Sequence, residues 1–222
     1  MGREIKYLPL RKAKPLIRDS DLVLWRGPGF LARRGGGVKY HASKLGWWGD
    51  DLFSLDTHWR RGGDIRRIET DVAAFSGRLD WYRVNPDDLP YDRGGALNFM
   101  RELVDTPYGW RHLACAACLH LPPIRGTLRP EIRDETKASK FPPFCSEACS
   151  GSDRIGGGHD PCPWAADRIT EPRDLAESDF YEYGGTLICD ADAENYDAFP
   201  PTDPDYLALR EEHSECVFPC RT

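Results

Sequence analysis

In Phe141-Pro142-Pro143-Phe144-Cys145-Ser146-Glu147-Ala148-Cys149 a cysteine follows two prolines and opens a run of helical composition. The prolines fix an extended entry and disfavour helix before them, so the helix can begin only around Cys145. Ser146 and Glu147 then fall in its first turn, where an acidic residue suits the helix dipole. A thiol at a helix start faces unpaired N–H groups that favour the thiolate. An ordinary thiol is only about 3% ionised at pH 7, and such surroundings can lower its pKa to roughly 3.5–7.5. The same N–H groups can hold the oxyanion of an acyl-transfer intermediate. A cysteine that merely packs at a helix start would read the same way, and the other seven cysteines fit packing.

A thiolate nucleophile needs a base that keeps it charged and later protonates the leaving group. The six histidines are His41, His58, His112, His120, His159 and His213, and only His41 and His58 fall on predicted strands. In Tyr40-His41-Ala42-Ser43-Lys44-Leu45-Gly46-Trp47-Trp48, alternation puts His41 on the face of Leu45 and Trp47. On the next strand Ser54, Asp56 and His58 share one face, while Phe53 and Leu55 take the other. A hairpin at Gly49-Asp50-Asp51 makes the two strands neighbours. Asp56 can then orient His41 by accepting a hydrogen bond from its second nitrogen, and His58 competes for that third role. A sheet histidine with ordinary partners and a solvated strand carboxylate are the plainer readings of the same residues.

The elements that must position these groups change character along the chain. Asp21–Trp25 reads as a short apolar strand ended by Arg26-Gly27-Pro28-Gly29. Val38–Trp48 and Leu52–Trp59 form the hairpin, Ile65–Ile68 is extended, and Leu79–Val84 is a further strand. Gly94–Val104 and Trp110–Leu121 have helical spacing. Cys145–Ile155 reads as a helix ended by Gly156-Gly157-Gly158, and Gly185–Cys189 as a last strand. Strands followed by helices predict an α+β domain: an antiparallel sheet or partial barrel packed on helices.

Composition sets the limits. The chain has 222 residues and a formal net charge of −6, with eight cysteines, too few for a disulfide scaffold. Residues 1–44 carry 11 Lys/Arg against 3 Asp/Glu, whereas residues 190–222 carry 9 Asp/Glu against 2 Arg. The acidity therefore belongs to a Pro-containing C-terminal tail, read as a solvated appendage or an interaction arm for other proteins. The basic start lacks aromatic interleaving or any nucleic-acid motif, so no nucleic-acid partner is expected. Met1–Asp19 has no apolar core of a secretory leader, and no run approaches the ~18 apolar residues of a membrane span. The expectation is a soluble protein, cytoplasmic on synthesis, with free thiols.

Cys115-x-x-Cys118 and Cys216-x3-Cys220 invite a zinc reading, but no second pair follows at zinc-ribbon spacing, and neither metal nor cofactor is expected. Cys149 lies one turn after Cys145 and reads as packing. Arg33-Arg34-Gly35-Gly36-Gly37 is no phosphate loop, since no Lys-Ser/Thr follows; it reads as a flexible lip with anion contacts.

Taken together, Asp21-Leu22-Val23-Leu24-Trp25-Arg26-Gly27, a strand-borne His41 and Phe144-Cys145-Ser146-Glu147 resemble the circularly permuted branch of the NlpC-type papain-like cysteine hydrolases, the YiiX/YaeF-like amidases. That family shows a GDLVLFRG-type strand, then SHVGI, then FCSEL. Tyr108-Gly109-Trp110 is similar to its pYgw element, and Gly156–Gly158 through Thr170-Glu171-Pro172-Arg173-Asp174-Leu175 to its closing region. The resemblance implies a permuted papain-like fold over residues 18–190, between a basic segment (1–17) and the acidic tail (191–222). It implies Cys145 as nucleophile, His41 as base and an acid on the following strand, for which Asp56 is the positional match where Glu is common. Ser146, Tyr40 and Trp25 become candidates for substrate or oxyanion contacts. Tyr40, Lys44 and Trp47-Trp48 depart from the family pattern. The implied activity is an amidase or peptidase acting through an acyl-enzyme, on peptide or peptidoglycan-like substrates. The HA…WWGD variant looks like chains of tailed bacteriophages, where the tail would meet other virion proteins; a catalytically idle virion subunit is the alternative.

Overall fold

The computed structural model describes residues 6–27, 39–75, 78–84, 90–119 and 142–192. Within them lies one mixed sheet of seven strands: β1 (Tyr7–Pro9), β2 (Leu22–Arg26), β3 (Lys39–Trp48), β4 (Asp51–His58), β5 (Gly62–Arg67), β6 (Arg78–Val84) and β7 (Tyr181–Ile188). Their spatial order is β1-β7-β6-β2-β3-β4-β5, so the sheet is open, with β1 and β5 at its edges and no barrel closure among the described residues. Every pairing is antiparallel except β1 with β7. Six α-helices accompany it: α1 (Leu10–Ala13), α2 (Ile68–Ala74), α3 (Arg93–Glu102), α4 (Trp110–Leu119), α5 (Cys145–Gly151) and α6 (Pro172–Glu177).

The central strand explains the two layers. β2 is apolar and buried from Leu22 to Trp25, as a strand covered on both faces should be. Leu22 and Leu24 point into a core shared with Leu97 and Met100 of α3, Ala148 and Cys149 of α5, and Leu175 of α6. Val23 and Trp25 point into a second core with Leu10 and Ala13 of α1 and Ile68 and Val72 of α2. From Tyr7 onward the basic start packs on the rest of the sheet: β1 extends it, and Leu10, Ala13 and Ile17 complete the second core. Charge set this stretch apart in the sequence, but its apolar residues decide its place.

The β3–β4 hairpin turns at Gly49, which adopts φ +60°, and pairs Trp48 with Asp51. The predicted strand boundaries agree with the observed ones to within a few residues except at β7, which starts at Tyr181, and Ile68, which opens α2 instead of ending a strand. α2 and α6 were not expected as helices. Both are short and hold on through tertiary packing: Ile68 and Val72 are buried in one core, Leu175 and Ala176 in the other. The predicted helix after Cys145 is α5 followed by a π turn, Ser152–Gly156. The acidic tail beyond residue 192, the Arg33–Gly37 lip and Cys216 and Cys220 lie outside the described residues.

Candidate active site

β3 and β4 pair from Trp48↔Asp51 to Lys44↔Leu55, and the ladder stops there although both strands continue. β4 stays with β5 as far as His58↔Gly62. β3 and β4 therefore part at the end that carries His41 and Asp56. The start of α5 meets β3 at this place: the Cys145 sulfur accepts the backbone N–H of Ala42, an orphan of the broken ladder, and that of Ser146 in its own first turn. The opening lets a helix packed on one face of the sheet meet a histidine that belongs with Trp25 and Leu45 on the other.

His41 Nε2 lies 2.6 Å from Asp56 Oδ2, which leaves Nδ1 for the Cys145 sulfur, with which the ring is hydrogen-bonded. Cys145, His41 and Asp56 are 6%, 8% and 2% exposed, so their charges interact with little screening by water. Burial pushes the His41 pKa down, but Cys145 and Asp56 outweigh it and hold it at about 10. Burial likewise raises the Cys145 thiol, yet His41 and the two N–H donors bring it below its ordinary value. Asp56 is lowered by His41 and Arg66 against its burial. The three effects agree: the buried groups are most favourable as thiolate, imidazolium and carboxylate.

Further residues fix this arrangement. Arg66 on β5 reaches Asp56 Oδ2 at 3.1 Å and Asp71 Oδ1 at 2.7 Å, and Asp71 in turn accepts from Ser54 Oγ. Trp25 stands edge-on to His41, ring centroids 5.4 Å apart. Its indole N–H donates to Ser43 Oγ at 3.2 Å, so Trp25 is a wall against the imidazole and offers no free donor to an oxyanion. Ser146 differs in the same way: its hydroxyl donates to the Thr170 carbonyl at 2.7 Å, and only its backbone N–H faces the sulfur. The side chain of Tyr40 lies outside the described residues. His58 stands edge-on to His41 at 5.8 Å and accepts the Arg60 N–H on Nδ1. Burial, then the charges of Arg61 and His41, push His58 down to about 4, so it is neutral at pH 7. Asp56, not His58, makes the hydrogen bond to His41.

Tyr108 is a site residue that the sequence reading had only as part of a motif. Its hydroxyl is hydrogen-bonded to the Cys145 sulfur, and burial together with that sulfur keeps the phenol protonated far above its usual range. Gly109 makes this contact possible. A Cβ there would stand 2.3 Å from the Pro142 carbonyl oxygen, and the Gly109 N–H donates to the Pro143 carbonyl at 3.2 Å. The Tyr-Gly pair and the two prolines were the signal, each needed for the close approach of the two chain segments. On α5, Glu147 accepts the Phe144 N–H at 3.2 Å and pairs with His112 Nδ1 of α4 at 2.7 Å, tying α4 to the helix that opens with Cys145.

The remaining cysteines divide by burial. Cys149 is fully buried and its thiol is raised well above the usual value by that burial, as packing requires. Cys115 and Cys118 are exposed free thiols on α4. No group of three or more potential metal ligands occurs among the described residues, and no helix among them is long and apolar enough to cross a membrane.

No protein-family profile matches the chain, and no curated protein matches it significantly. Among solved structures it is similar to the metalloprotein YiiX of Escherichia coli O157:H7, a DUF1105 protein, at 7% identity and a TM-score of 0.54. That likeness covers 77% of this chain and 98% of YiiX. The chain therefore shares a YiiX-like fold.

Proposed function

We propose that this chain is a papain-like cysteine hydrolase of permuted order, an amidase or peptidase that works through an acyl-enzyme. The observation that carries the proposal is the convergence on the Cys145 sulfur of the His41 imidazole, the Ala42 and Ser146 N–H groups and the Tyr108 hydroxyl, with Asp56 behind His41. The YiiX-like fold supports it as fold alone. In the first step the thiolate attacks the substrate carbonyl carbon and a C–S bond forms. The Tyr108 O–H and the N–H donors at the sulfur stand ready to receive the oxyanion. His41 gives its proton to the leaving nitrogen as the C–N bond breaks. In the second step a water loses its proton to His41 and attacks the thioester; the C–S bond breaks, which releases the acid and regenerates the thiolate beside the imidazolium.

Asp56 keeps the His41 ring in the orientation that presents its other nitrogen to sulfur. The order along the chain, His41 first and Cys145 104 residues later, is opposite to that of papain. Cell-wall peptides are the first substrates to screen, with simple esters and thioesters beside them, because the same machinery cleaves all three. The test compares turnover of such a panel by the wild type with Cys145→Ala. The expected result is hydrolysis by the wild type and none by a variant of unchanged circular dichroism. Equal turnover by both proteins would refute the proposal.

A further inference from the structure

Four large apolar side chains are more than half or nearly half exposed among the described residues: Leu16, Trp59, Trp110 and Trp164. Two of them, Trp59 at 49% and Trp110 at 55% exposure, touch each other. Their rings meet at 81° with centroids 6.3 Å apart, which makes a corner and not a flat shelf. The corner joins the candidate site from both sides. Trp59 follows His58, whose ring stands beside His41. Trp110 packs on Tyr108 at 5.1 Å, and Tyr108 reaches the Cys145 sulfur.

The corner is held rigidly. The Gly63 N–H donates to the Thr106 carbonyl at 2.8 Å, and the Asp105 N–H donates to the Gly63 carbonyl at 2.9 Å. A Cβ at Gly62 would lie 2.0 Å from the Thr106 oxygen, so the β4–β5 turn can press on the chain before Tyr108 only without side chains there. Beside the corner, the Arg60 guanidinium stacks 4.3 Å over the Trp59 ring and has no carboxylate partner among the described residues. Its neighbour Arg61 is paired with Asp64.

We infer that the Trp59–Trp110 corner with Arg60 is the specificity subsite of the hydrolase, taking an amino-acid residue with a bulky apolar side chain and a free carboxylate next to the scissile bond. This rests on the proposed function for its place in catalysis. Two indoles at a right angle enclose a bulky apolar group from two sides, whereas a sugar ring favours one open, flat indole face. Stacking on Trp59 leaves the outer edge and N–H groups of the guanidinium free to pair with a carboxylate in a fork.

The test reads binding apart from turnover. Titrate the Cys145→Ala protein with N-acetylphenylalanine, its C-terminal amide, N-acetylalanine and N-acetylglucosamine, by calorimetry or ligand-observed NMR. N-acetylphenylalanine should bind at least about fivefold more tightly than each of the other three. Trp59→Ala or Trp110→Ala in that background should erase its advantage over N-acetylalanine. Arg60→Gln, a surface change that leaves the indoles in place, should erase its advantage over the amide. Equal affinity for all four probes, preference for the sugar, or preferences that survive these substitutions would overturn the inference. A wild type that shows no hydrolysis, with these preferences intact, would count against the proposed function and for the subsite. Hydrolysis without the preferences would sink the subsite alone.

Discussion

At the residue scale, the working range of the proposed hydrolase follows from the pH at which sulfur and imidazole hold their opposite charges. The thiolate–imidazolium pair exists above the lowered pKa of Cys145 and below the His41 value of about 10. A profile of kcat/KM should therefore rise below the ordinary thiol value of ~8.5 and fall near pH 10 as the imidazolium loses its proton. His41→Ala should cost at least the ~10²–10⁴ usual for a general acid–base, with fold unchanged. Asp56→Asn should lower kcat less and move the alkaline limb downward, because an amide no longer favours the imidazolium. His58→Gln should leave that limb in place, since His58 is neutral and makes no hydrogen bond to His41. If His58→Gln proved the more damaging of the two, the orienting role would pass to His58.

At the scale of elements, placement depends on contacts between segments far apart in the chain. Gly109→Ala should reduce turnover by at least tenfold and lower the melting temperature, because its Cβ would collide with the Pro142 carbonyl and lift Tyr108 from the sulfur. Tyr108→Phe should lower kcat while leaving stability nearly unchanged. Stability itself should carry a mark of His58. Its pKa is about 4 when folded against 6.5 unfolded, so the unfolded chain binds the proton first as pH falls. The stability it contributes is complete above pH 6.5 and is lost on descending toward pH 4. Thermal melts of His58→Gln should decline less across that interval than those of the wild type. Much of this was legible in the sequence: the Pro-Pro entry placed the start of α5 at Cys145, and alternation placed His41 with Asp56. Tyr108 was legible only as part of a motif, without its contact to the sulfur, and Arg66 and the parting of β3 from β4 were not legible, because each depends on a contact that no local pattern records. α2 and α6 escaped for the same reason, being helices of only seven and six residues fixed by what they pack against.

At the scale of the molecule, the two halves of the site are joined by a buried clamp. Lys44 is fully buried and pairs with Asp153 at 2.6 and 2.8 Å, while Tyr91 and Tyr181 donate to the same carboxylate. It fastens β3, three residues past His41, to the π turn that continues α5. Lys44→Met leaves Asp153 charged without its cation and should cost on the order of 3–5 kcal/mol, read by urea unfolding. Lys44→Met with Asp153→Leu should recover part of that loss. The clamp, the Tyr108 contact and the broken ladder all serve one end, the meeting of Cys145 with His41. The measurement that reaches this most directly is the rate of iodoacetamide modification at Cys145 as a function of pH, resolved from the other cysteines by mass spectrometry, in the wild type and in His41→Ala. The wild-type rate should titrate below the ordinary thiol range, because His41 and the N–H donors lower the Cys145 pKa, and that of His41→Ala should move up toward that range. Identical profiles in the two proteins, both titrating near 8.5 or higher, would contradict the account.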